Sequence, residues 1–139
     1  MGELDMTGSE EFIPDFTQWA RDQRSILGAV LVGSHARGTA KPDSDIDVVM
    51  ICESSATFLE DDRWFKRFGS PTRVQNEDYG VVQSWRVWYA SGLEVEFGIT
   101  TRAWVSADPI DPGTERVLQD GYMILCDKEG LLARLTSPT

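Results

Sequence analysis

The run ILGAVLVG, from Ile26 to Gly33, contains no polar side chain and has the length of a strand. A strand with no polar face must be covered on both sides, so a sheet with material against each face is expected at the centre of the molecule. A second strand follows in DIDVVMI, Asp45 to Ile51. Its alternation puts Ile46, Val48 and Met50 on one face and Asp45, Asp47, Val49 and Ile51 on the other. At 139 residues, 41% of them apolar, the chain is long enough for one globular domain with a proper core and has little room for a second.

The remaining elements follow from period and punctuation. Ile13, Phe16, Trp19 and Ala20 have helical spacing, and Pro14 suits a first turn, which predicts a helix over 14–24 behind a loose acidic tail, 1–12. The single domain then spans 13–139. SHARG reads as a short helical turn, and residues 57–68 as a helix stopped by Gly69. A strand is expected over 73–77. VVQSWRVWYA and LEVEFGIT read as two strands of a hairpin joined at Ser91-Gly92. A helix over 112–119, a strand YMILC and a last helix over 128–135 complete the chain. The fold class is α/β (α+β), a mixed twisted sheet flanked by helices, with no repeat or linker.

Composition narrows the function. Twenty-three acidic against 13 basic residues leave a net charge of −10, which disfavours nucleic acid as a partner. No apolar run reaches the ~20 residues of a membrane span, and the acidic N-terminus has no signal-peptide character. Cys52 and Cys126 read as buried free thiols of a cytoplasmic protein.

The segment joining the first two strands, GSHARGTAKPDSDID, carries the candidate chemistry. Gly33 permits a sharp turn and close backbone approach, and a helical turn after it offers N–H groups to an anion. Ser34 adds a hydroxyl and Arg37 a forked cation, both suited to phosphate oxygens, while a structural salt bridge explains Arg37 equally well. Ser44 and Lys41 are further phosphate candidates that loop solubility also explains. His35, the lone histidine, reads as a surface position, with a nucleotide contact as the lesser reading. Asp45 and Asp47 project from one strand face and repel each other unless a cation or donor lies between them. Such oxygen ligands suit Mg2+ bound together with substrate phosphates. In LEVEFGIT the alternation sets Leu93, Val95, Phe97 and Ile99 toward the core, and Glu94, Glu96 and Gly98 toward the face able to meet the two aspartates. Trp85 and Trp88 lie on opposite faces of their strand, one for the core and one toward a cleft.

VLVGSHARG, SDIDVV and VEF together make the chain resemble the nucleotidyltransferase superfamily with the DNA-polymerase-beta-like fold, in particular its small single-domain bacterial members. The resemblance implies that Gly33 and Ser34 bind phosphate and that Asp45, Asp47 and Glu96 are the catalytic, metal-binding carboxylates, with Glu94 also fitting the third position. It implies two Mg2+ ions, with Mn2+ as a substitute, and transfer of a nucleoside monophosphate from an NTP, ATP first, to an acceptor hydroxyl. Glu96 or Glu94 is also placed to accept the acceptor's proton.

Size favours a protein acceptor, as in minimal members that act as antitoxins modifying a partner toxin. Antibiotic modification suits the acidic charge but is usual in members with an additional domain. An inactive nucleotide- or partner-binding module is the third reading. The segment beyond Thr100 offers a surface for a homodimer or partner.

Overall fold

The seven residues of β1 (Ile26–Val32) are all buried, as their composition requires, because β1 is flanked by strands and covered on both faces. The computed structural model describes residues 9–41, 44–106 and 119–132. Helix α1 (Ser9–Asp22) precedes β1. Next come α2 (Ser34–Arg37), β2 (Ile46–Cys52), α3 (Ala56–Leu59), a 3-10 turn (Trp64–Phe68) and β3 (Pro71–Asp78). Strands β4 (Gln83–Tyr89) and β5 (Glu94–Thr100), helix α4 (Ala103–Ser106) and β6 (Tyr122–Asp127) complete the order.

One six-stranded sheet runs β3-β4-β5-β2-β1-β6. Its β2–β5 pair is parallel and the other pairs are antiparallel, which is the mixed sheet expected. On one face Ile46, Val48, Met50, Val95, Phe97 and Ile99 pack against Phe12, Phe16 and Trp19 of α1. A smaller cluster on the opposite face joins Val30, Val32, Val49 and Ile51 to Trp104 and Leu132. The faces expected for β2 and β5 are therefore the ones observed. Both cysteines are buried and free, and burial pushes the Cys52 thiol up to about 12.

Several boundaries differ from the sequence expectation. Helix α1 starts at Ser9, so Pro14 sits inside it, on its exposed side. The expected helix over 57–68 is split into α3 and the 3-10 turn. Between them the Asp61 carboxylate accepts the Arg63 N–H at 2.9 Å, a local bond that competes with the helical ladder. The Phe58 carbonyl in turn accepts the indole N–H groups of Trp64 and Trp85, at 2.9 and 3.0 Å. The β4–β5 hairpin forms, with its turn spread over 90–93 and closed by the Tyr89 N–H to the Leu93 carbonyl at 2.8 Å. Val81 and Val82 precede β4, and β3 is longer than its expected core.

Residues 128–132 form bends and a turn in place of the first part of the expected last helix, with the Leu132 N–H bonded to Asp127 at 3.1 Å. The rest of that helix, and 112–118 of the preceding one, lie outside the described residues. Among the described residues no helix is long and apolar enough to cross a membrane.

Candidate active site

Strand register builds the site. Reading straight across the sheet, Gln75 of β3 opposes Arg86 of β4, Arg86 opposes Glu96 of β5, Glu96 opposes Asp47 of β2, and Asp47 opposes Val32 of β1. The acids separated by 49 positions in the sequence thus become neighbours on the face opposite α1. Gly33 follows Val32 with φ of +78°, a left-handed conformation that a Cβ would strain, and that Cβ would lie 2.7 Å from Asp47 Oδ2. The glycine is what lets the backbone pass close to the carboxylate.

A cavity of about 480 Å3 opens here, with Gly33, Arg37, Asp47, Tyr79, Ser84 and Glu96 among its polar lining. Val32, Val49, Val82 and Trp104 contribute apolar wall. Gly98 keeps this wall close: a Cβ there would meet Val82 at 3.0 Å and the Val48 carbonyl at 3.3 Å.

The electrostatics are those of crowded carboxylates. Burial foremost, then the charges of Asp45 and Glu96, raise the Asp47 pKa from 3.8 to about 7. Asp47 Oδ1 is buried and has no hydrogen-bond partner. Glu96 is also raised, first by burial and then by its hydrogen bond to Glu77. Its Oε2 accepts the Ser84 hydroxyl at 2.9 Å and lies 2.9 Å from the Tyr79 hydroxyl, which is also 2.5 Å from Glu77 Oε1. Glu77 falls to about 2, held ionised by bonds from Glu96 and Tyr79. At the centre, Arg86 pairs with Glu94 at 2.7 Å, Glu96 at 3.0 Å, and Asp45 and Glu77 at 3.4 Å each.

The expected residues separate into groups. Gly33, Arg37, Asp47 and Glu96 line the cavity together. Arg37 is exposed and forms no ion pair with another described residue. Asp45 joins the cluster through Arg86 and lies outside the cavity lining. Of the two glutamates only Glu96 lines the cavity; Glu94 is a partner of Arg86. Ser34 heads α2, next in the chain to Gly33, and is not part of the cavity lining. The Ser44 hydroxyl accepts the Lys41 N–H at 2.8 Å, so it shapes the loop leading to Asp45. His35 Nε2 lies 3.4 Å from the Ser44 carbonyl in the same loop, where it is half-buried. Trp85 packs on the core side, whereas Trp88 carries the Arg73 guanidinium 4.5 Å above its ring and is not part of the cavity lining.

Arg86, Tyr79, Ser84 and Glu77 were not singled out by motif. The available signal was alternation: Ser84, Arg86 and Trp88 share a strand face, and an arginine facing two glutamates across a hairpin marks a charged node.

The donor chemistry fits a hard divalent cation: oxygen ligands only, one of them an orphaned buried oxygen on Asp47. As the side chains stand, no three Asp, Glu, His or Cys side chains among the described residues are grouped to hold one.

A family model described as streptomycin adenylyltransferase matches residues 6–139. Among solved structures, an aminoglycoside 6-adenyltransferase from Bacillus subtilis is similar with a TM-score of 0.52 and 16% identity, over 66% of this chain and 34% of that one. That likeness is one of fold, the mixed sheet with its helices, and this chain spans about a third of that protein's length. No curated protein matches.

Proposed function

The chain belongs to the streptomycin adenylyltransferase family, and from that premise we propose that it transfers AMP from ATP to a hydroxyl of a cationic small-molecule antibiotic, releasing pyrophosphate. The observation that carries this reading is the Asp47–Glu96 pair, set side by side on parallel strands and lining one cavity with Gly33 and Arg37. The family match favours the antibiotic acceptor over the protein acceptor that chain length suggested; nothing found supports a toxin partner.

Gly33 and Ser34 are assigned to the donor's phosphates, at the turn by which β1 passes into α2. Arg37, without an ion pair among the described residues, supplies charge to the same phosphates. Asp45, Asp47 and Glu96 would hold Mg2+, as one or two ions, or Mn2+ in its place. The cation would supply charge neutralisation of the triphosphate and of the developing pyrophosphate. Glu96, next to Asp47, is also the carboxylate placed to take the acceptor's proton. Glu77 and Glu94 extend the negative face, and with a net charge of −10 on the whole chain this suits a polycationic acceptor.

The test is incubation with labelled ATP, Mg2+ and streptomycin alongside other aminoglycosides. Label is expected on an antibiotic with the wild-type chain and not with Asp47→Ala. Label on a protein instead would restore the protein acceptor, and ATP binding without transfer to any acceptor would favour a non-catalytic module.

A further inference from the structure

Arg86 belongs to no phosphate or metal motif, yet it touches two of the three carboxylates assigned above to the cation. Its Nη1 lies 3.4 Å from Asp45 Oδ2 and its Nη2 3.0 Å from Glu96 Oε1. The second oxygen of Glu96 is also committed, to the hydroxyls of Ser84 and Tyr79 at 2.9 Å each. Asp47 is the one of the three with a buried oxygen free of any partner. Among the described residues no three acids are grouped for an ion, although five carboxylates surround this point.

We propose that Arg86 is a built-in competitor of the divalent cation: it holds Asp45 and Glu96 in the cation-free protein and must release them when the cation binds. The inference rests on the assignment of those carboxylates given under the proposed function. A guanidinium is a permanent charge with five donors, able to bridge several carboxylates that would otherwise repel one another. Arg86 does this from a half-buried position, with 22% of its side chain exposed, so its pairs are poorly screened. It also has somewhere to go. Glu94 at 2.7 Å and Glu77 at 3.4 Å lie outside the cavity lining and keep the guanidinium paired when Asp45 and Glu96 let go. Exchange of partners leaves no buried charge alone, which keeps the rearrangement inexpensive. The consequence is weak affinity for the free cation. A cation arriving with a triphosphate brings the compensating negative charge, and so competes better.

Calorimetric titration of the full chain with Mn2+ at low ionic strength tests this, with thermal unfolding measured with and without the ion. Arg86→Gln is expected to bind Mn2+ about tenfold more tightly than wild type, a coupling of ordinary size between competing ligands. It should also unfold at lower temperature without Mn2+ and recover more on its addition. A folded Arg86→Gln chain that binds Mn2+ no tighter than wild type overturns the proposal. Should that variant fail to fold, Arg86→Lys keeps the charge but not the fork, and is expected to bind Mn2+ tighter than wild type by a smaller factor; equal or weaker binding overturns the proposal. Asp47→Asn separates the levels of argument. If it binds Mn2+ as wild type does, or if neither wild type nor the Arg86 variants bind any, the cation assignment falls and the competitor with it; binding by Arg86→Gln where wild type binds none supports the competitor. If wild type binds, Asp47→Asn does not, and the Arg86 variants show no gain, the competitor alone falls.

Discussion

Asp47 concentrates the cost of the site. Its pKa of about 7 means that the folded chain holds a proton more tightly than the unfolded chain does, from about pH 4 to about pH 7. In that window the native state binds more protons, so stability falls as pH rises, and the loss is complete above the folded value. Asp47→Asn removes the ionisation. In chelator-treated protein its urea unfolding free energy should exceed that of wild type by about 4 kcal/mol at about pH 8, with the difference closing toward about pH 4. Equal pH profiles for the two proteins would mean that Asp47 does not carry the crowding described. The residue's identity as a candidate was readable from Asp-x-Asp on a strand. Its burial, its orphaned oxygen and the closeness of Gly33 to its carboxylate were not, because each depends on β1 and β5 flanking β2.

Elements carry the site through their opposite faces. Strand β5 presents Glu96 to the cavity, while one residue on Phe97 is fully buried among the rings of Phe12, Phe16, Trp64, Phe65 and Phe68, at centroid distances of 4.9 to 6.4 Å. Phe97→Ala should therefore cost about 3–5 kcal/mol in urea unfolding. It should also weaken activity out of proportion to its distance from the chemistry, since Glu96 depends on β5 being held in register. Strand faces were legible because a period of two tolerates few alternatives. The helix over 57–68 was not: its apolar residues fit helical spacing, but Asp61 and the two indoles reaching Phe58 favour a broken path. One of those indoles, Trp85, is a tertiary neighbour on β4, while the other, Trp64, lies within the segment itself.

For the whole molecule, charge bears on the proposed acceptor. Asp45, Asp47, Glu77, Glu94 and Glu96 converge around a single arginine, on a chain of net charge −10. A polycationic acceptor meeting that field should show a KM that rises several-fold between about 0.01 and 0.15 M ionic strength, as screening shortens the field's range. The KM for ATP, whose own charge is negative, should not rise in parallel. Steady-state kinetics with streptomycin or another aminoglycoside at several salt concentrations checks this; a salt-independent acceptor KM would argue for a neutral acceptor.

Local pattern in the sequence determined the strands, their inward faces and the residue types of the candidate site: the apolar run ending at Gly33, Asp-x-Asp at the start of β2, and alternating glutamates on β5. These depend on interactions a few residues long, which period and composition encode directly. Tertiary structure decided which acids meet. The parallel register of β2 with β5 put Glu96 rather than Glu94 beside Asp47, and the β4–β5 pairing put Arg86 beside Glu96. Shifting either pairing by one residue would turn these side chains to the other face of the sheet. That register is set by core packing across the sheet as a whole.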